Sequence, residues 1–204
     1  EDTATVTITV TGRNDTHTFD IGSDFDNSGA AVKGDGSVAT RNMSITDTDS
    51  SDDHTWSFDS VNTALYTAAG TYGTWSITGI ANGTHTLHDA TDSSASWNYT
   101  LSGAAYQALA EGAPAVTDTI TVYVKSDNDA DAAGDDLISQ VITVYIEGEN
   151  DDPTFSATAN AGAVEEDTTL SVTGDYDVSD VDVGDTHDFY VDDGAGANAA
   201  SKVG

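Results

Sequence analysis

Cysteine is absent from this 204-residue chain and bases are scarce, with 5 lysines and arginines against 36 aspartates and glutamates. Without cysteine there is no disulfide to staple the fold and no thiolate to hold a metal. Without clusters of Lys and Arg nothing neutralises phosphates, which excludes nucleic acid as a partner. No run of about 18 apolar residues occurs, so no segment reads as a membrane-spanning helix. No Ser-His-Asp order, P-loop or HExxH pattern is present, and the chain is expected not to be an enzyme, although paired aspartates do serve glycosidases.

What is there begins with charge. A formal net charge of −31 has a bland reading, the solvated acidic surface of a protein living in high salt, and a functional one, cation binding. The two are compatible, because each bound Ca²⁺ cancels only two charges and several ions leave most of the excess in place. A hydrophobic content of 37%, with 3 Trp, 8 Tyr and 5 Phe, furnishes a core and argues against wholesale disorder. By length alone the chain holds one to two domains.

An internal repeat sets its organisation. Gln140 to Ile146 alternates in the strand manner and runs into Gly148-Glu149-Asn150-Asp151-Asp152-Pro153. The same cassette sits near the start, where Thr5 to Val10 runs into Gly12-Arg13-Asn14-Asp15, with Phe19 in the place of Phe155. Gly12 and Gly148 are 136 positions apart, too long for a solenoid unit and the size of a domain. A second echo, Asp-x-Asp-x-x-Asp-x-His, starts at Asp47 and again at Asp180, 133 positions on. The two copies therefore differ by a three-residue indel. The chain reads as a window cut from a tandem array, with residues 1–11 as the last strand of one repeat, 12–149 as a complete domain and 150–204 as the opening of the next. No signal-peptide pattern is present, and a window from mid-array would show none.

Within the complete copy, turns come at the spacing of an all-β protein. Candidate strands are Val38 to Ile45, His54 to Phe58, Tyr72 to Ile77, Thr84 to Leu87 and Trp97 to Leu101. A final hairpin pairs Ile120 to Val124 with Val141 to Ile146, and Ala4 to Thr11 alternates in the same way. One helical patch covers Ser102 to Gly112, with Ser102 as a candidate cap. About seven short strands with no helix between them predict an all-β, immunoglobulin-like Greek-key β-sandwich, repeated in tandem. Trp56, Trp75 and Trp97 could form a sugar platform, but on alternating strands they read as core.

Several strings resemble a known family. Gly70-Thr71-Tyr72-Gly73-Thr74, Trp97-Asn98-Tyr99-Thr100-Leu101, Tyr106-Gln107-Ala108-Leu109-Ala110-Glu111-Gly112 and Thr117-Asp118-Thr119-Ile120-Thr121-Val122 are similar to the VCBS repeat. That family forms cadherin-like domains in giant RTX-type adhesins of bacteria. The resemblance covers 12–149, while 150–204 shows the family's opening, Gly162 to Thr168, and then the acidic loop. The chain departs from the pattern at Lys33-Gly34-Asp35, where the family has Glu-Asp-Thr, and in a longer, more acidic loop at Asp127 to Asp136.

Strand parity places the loop holding Asp47, Asp49 and Asp52 and the loop holding Asp127, Asp129 and Asp131 at one end of a sandwich, where Asn14 and Asp15 enter. Carboxylates crowded there repel one another unless a cation intervenes. Oxygen-only donors select Ca²⁺ or Mg²⁺ over Zn²⁺, and Ca²⁺ suits the alternating Asp and Asn pattern. The resemblance further implies that Asn14 and Asp15 share an ion with Asp47 and Asp49, and Asn150 and Asp151 with Asp180 and Asp182. Asp185 and, in the family's opening, Glu166 complete the candidate calcium ligands. The competing reading makes these ordinary turn and Asx residues. Asp127 to Asp136 also matches the start of an EF-type loop, without Gly at its sixth position or Glu at its twelfth, and a calcium site and a solvated loop both remain open there. His54 and His187 read as strand-start residues bonded to the acidic loop, because a zinc site wants more His or Cys nearby.

Taken together, the resemblance and the charge imply a calcium-stiffened extender of a secreted bacterial surface adhesin. Its partners would be neighbouring repeats of the same chain, with surface glycans or proteins contacted through other domains, and neither nucleic acid nor membrane insertion is expected. The alternative is a glycan- or protein-binding module using the loops around 82–96.

Overall fold

The computed structural model describes residues 2–10, 15–22, 32–34, 36–49, 53–61, 65–80, 84–86, 91–127, 137–157, 163–168, 171 and 173–189, with the backbone alone at 84–86, 91–94, 127 and 157. The described chain is almost entirely strand. Five strands make one antiparallel sheet in the order β1 (Thr18–Asp20), β2 (Val38–Thr46), β7 (Thr91–Leu101), β5 (Gly73–Thr78), β4 (Thr67–Ala69). Four make a second, in the order β6 (Thr84–Thr86), β3 (Asp53–Ser57), β8 (Val116–Asp127), β9 (Leu137–Ile146).

Period-2 patterning explains why these two sheets face a common core. Ala95, Trp97, Tyr99 and Leu101 alternate inward along β7, as Trp75 and Ile77 do on β5 and Met43 and Ile45 on β2. From the second sheet come Trp56 on β3, Val122 and Val124 on β8, and Ile142, Val144 and Ile146 on β9. All belong to one buried cluster, which makes the fold sandwich-like. Burying a side chain of this size stabilises by about 1.5–3 kcal/mol, so the cluster is the main driving force. Phe19 meets Trp56 edge to face at 5.6 Å, and Gln140 Nε2 donates to the Phe19 carbonyl at 2.6 Å, tying β1 to the second sheet. The three tryptophans are core residues, at most 2% exposed.

The hairpin of β8 and β9 runs in register from Val116↔Ile146 to Lys125↔Leu137. The expected helix is a single turn, α1 (Ala104–Gln107), and it starts at Gly103 with φ 95° and no side-chain cap, not at Ser102. Its Tyr106 is buried, and the Gly34 N–H donates to the Tyr106 hydroxyl at 2.7 Å. Of the strand expected at 4–11, the described residues 4–10 form none. Residues 2–10 pair with no described strand, and Val6, Ile8 and Val10 are more than 80% exposed. A strand pattern makes a strand only beside a sheet edge that accepts its hydrogen bonds, and here none of the described edges does.

Beyond Gly148 the chain forms a two-stranded unit, β10 (Thr154–Ala157) with β11 (Tyr176–Ser179). Its register repeats that of β1 and β2. Thr18↔Thr46 and Phe19↔Ile45 in the first pair become Thr154↔Ser179 and Phe155↔Val178 in the second. Phe19 is buried, whereas Phe155 is 63% exposed and stacks on Tyr176 at 6.1 Å. No helix among the described residues is long and apolar enough to cross a membrane.

Candidate functional site

β2 and β3 lie in different sheets, so the chain crosses from one layer to the other between Asp47 and Asp53. Asp47 ends the alternating run of β2 and points inward, only 2% exposed. One of its oxygens, Oδ1, accepts the Asp49 N–H at 2.9 Å, closing an Asx turn, and the other, Oδ2, holds His54 Nε2 at 2.9 Å. Asp49 in turn accepts the Asp15 N–H on Oδ2 at 2.6 Å, and Thr48 Oγ1 donates to Asp15 Oδ2 at 3.1 Å. The entering segment, the crossover loop and the start of β3 are thereby locked together.

The second copy reproduces three of these four bonds with the same atoms, the Thr48 hydroxyl having no counterpart because Val181 stands in its place. Asp182 N–H donates to Asp180 Oδ1 at 2.9 Å, His187 Nε2 meets Asp180 Oδ2 at 3.1 Å, and Asp151 N–H donates to Asp182 Oδ2 at 2.8 Å. One feature differs in consequence. Asp182 is 4% exposed, and its Oδ1 is buried with no hydrogen-bond partner among the described residues. A buried carboxylate oxygen without a donor costs free energy that a cation would recover. Beside it, Val183 N–H donates to the Ala108 carbonyl at 3.3 Å, so the second copy's loop rests on the segment that follows α1 of the first.

The expected ligands divide as follows. Asp15, Asp47 and Asp49 form one group and Asp151, Asp180 and Asp182 the other. Asn150 is exposed beside the second, its side-chain amide donating to the Asp151 carbonyl at 3.1 Å. Asp185 is exposed, with its N–H on the Asp182 carbonyl at 3.5 Å, and Glu166 is exposed in a turn at 166–168. Asp127 ends β8 as the register partner of Asp53, which puts the start of the 128–136 loop at the crossover end. Asn14, Asp52, Asp129 and Asp131 lie outside the described residues, as do 81–83 and 87–90 of the loop considered for ligand binding. His54 and His187 bond to their acidic loops, His54 at the start of β3 as expected, whereas His187 lies in no strand.

Two buried polar groups escaped the sequence reading. His17 shares inward parity with Phe19 and Ile21 and packs against His54, ring centroids 4.8 Å apart. Asp118 shares parity with Ile120 and Val122 on β8. Its Oδ2 accepts the Thr71 N–H at 2.6 Å, the Tyr72 N–H at 3.2 Å and the Tyr99 hydroxyl at 2.7 Å. Burial, and then the Asp118 carboxylate, push the Tyr99 phenol well above its ordinary value of 10.0. Asp118 thus anchors the Gly70 to Gly73 turn and has no open face for chemistry. A scan against protein-family models, a search of curated proteins and a search of solved structures each return no match for this chain.

Proposed function

We propose that this chain is a non-catalytic, calcium-stiffened extender from a large secreted bacterial surface adhesin, built of tandem Greek-key sandwiches of the VCBS type. Its work is mechanical, holding a ligand-binding tip away from the cell through a series of stiff joints. The observation that carries the reading is the buried, unpartnered Oδ1 of Asp182, at a network of which three bonds occur twice with the same atoms in the same roles. Asp180 already spends Oδ1 on the Asx turn and Oδ2 on His187, so Asp182 is the carboxylate with an oxygen left for an ion. The contact from Val183 to Ala108 supports a position for that ion between the two copies. The adhesin context itself rests on the resemblance and on the charge of −31.

Counting bound ions tests this. Equilibrium dialysis of the full chain against about 1 mM Ca²⁺, the upper end for extracellular modules, should show at least one ion fewer for Asp182→Asn than for the wild type. Equal counts would remove the assignment of Asp182. Equal binding of Mg²⁺ would reduce calcium to charge screening.

A further inference from the structure

His17, Asp47 and His54 are 1%, 2% and 0% exposed, and one potential ligand atom from each lies within 4.8 Å of the others. They come from three segments, the residue leading into β1, the end of β2 and the start of β3. A carboxylate oxygen accepts, so in a neutral His54 the 2.9 Å contact to Asp47 puts the proton on Nε2 and leaves the imidazole lone pair on Nδ1. That Nδ1 is buried and hydrogen-bonded to no described residue. The second copy supplies an internal control. It keeps the Asp180–His187 pair at 3.1 Å, but Pro153 stands where the first copy has His17. The Asp–His pair therefore belongs to the repeat, and the second imidazole is particular to the first copy.

We propose that His17, His54 and Asp47 form a buried site for a divalent transition-metal ion of the zinc class, with the two imidazoles as ligands and Asp47 as the compensating carboxylate. Nitrogen donors with a single carboxylate suit zinc, whereas calcium takes oxygen. A carboxylate holding the far nitrogen of an imidazole is the usual support behind a metal-bound histidine, fixing its tautomer and orientation. Metal ligation takes imidazoles in the neutral form, and with both neutral the Asp47 carboxylate leaves a buried negative charge that the bound cation offsets. Metal–nitrogen bonds of about 2.0–2.1 Å bring donors closer together than the 4.8 Å limit seen here, so binding draws the side chains inward by roughly 1 Å. The carboxylate oxygen assigned to calcium lies on Asp182 in the other copy, so the two sites can be tested apart, although this one withdraws Asp47 from the calcium ligands expected in the first copy.

The test uses the full chain, stripped of metal and then held in saturating Ca²⁺ so that the acidic sites are occupied. Calorimetric titration with Zn²⁺ should find one site per chain that His17→Gln weakens by roughly 100-fold or more, the upper end of what even a supporting residue costs. Calcium counts should be unchanged. Because a buried substitution can impair folding, ¹⁵N spectra of the wild-type histidines give a second reading. Zn²⁺ should shift the ring nitrogens of His17 and His54 and leave His85, His88 and His187 in place. Shifts confined to those other three, no saturable site, or equal Zn²⁺ affinity in a folded His17→Gln chain would each overturn the proposal.

Discussion

Asp118 and Tyr99 illustrate how single residues carry this fold. The phenol is fully buried and donates to a carboxylate that also gathers two backbone N–H groups, so it contributes only while protonated. Its folded-state pKa lies above the unfolded value of 10.0, which means the folded chain holds more protons than the unfolded chain at alkaline pH. Stability from this group is therefore fully present below pH 10 and is lost as pH rises beyond it. The burial of Tyr66 acts in the same direction. Tyr99→Phe should cost about 1 kcal/mol at neutral pH, one hydrogen bond's net worth, and should make the decline above pH 10 shallower than in the wild type. Chemical denaturation at several alkaline pH values reads both; parallel declines would show that another group titrates. Parity with Ile120 and Phe19 is a sequence signal for the burial of Asp118 and His17, although neither was among the expected site residues. Their partners were not legible, because His17, Asp47 and His54 meet only after three segments converge.

Elements with long alternation were readable, and of the short ones β3 and β6 were expected near where they form whereas β1 and β4 were not. β2, β5, β8 and β9 carry enough period-2 signal to place themselves, and the β8–β9 hairpin follows from two such runs in sequence. β1 and β4 have three residues each, and α1 has one turn, so their existence depends on neighbours rather than on propensity. The segment at 2–10 shows the converse, a full strand pattern left exposed without an edge to join. Gly148 explains how the end of β9 meets the segment after α1. It is buried, and a Cβ there would collide with the backbone carbonyls of Leu109 and Ala110. This is a close approach of two backbones that only glycine allows. Gly148→Ala should destabilise the chain by about 1–3 kcal/mol, the usual cost of overpacking, and should speed amide exchange at 106–110 ahead of the sheet interior. A thermal melt unchanged from wild type would mean that the two segments separate at no cost.

At the scale of the whole molecule, the question is whether two repeats move as one. The joint is short, and Pro153 fixes its own φ while biasing Asp152 toward extended backbone. Among the described residues the Val183 N–H on the Ala108 carbonyl is a direct contact across it, and under the proposed function the carboxylates at the joint set its angle. Without a cation they repel, in a chain whose net charge is already −31. With calcium bound to the native state at 0.1–1 mM affinity, about 10 mM free ion stabilises each site by about 1.4–2.7 kcal/mol. That is enough to hold one angle against the contact's thermal breakage. Asp180→Asn with Asp182→Asn should leave the melting of the sandwich nearly unchanged, because its buried hydrophobic cluster runs from Phe19 to Ile146 and includes neither residue. Small-angle scattering of the full chain in calcium should then give a narrow distribution of dimensions for the wild type and a broad one for the double variant. Chelation should bring the wild type to the variant's distribution. If both chains scatter alike in calcium, the joint is an ordinary linker, and stiffness must come from somewhere other than the repeated Asp-x-Asp network.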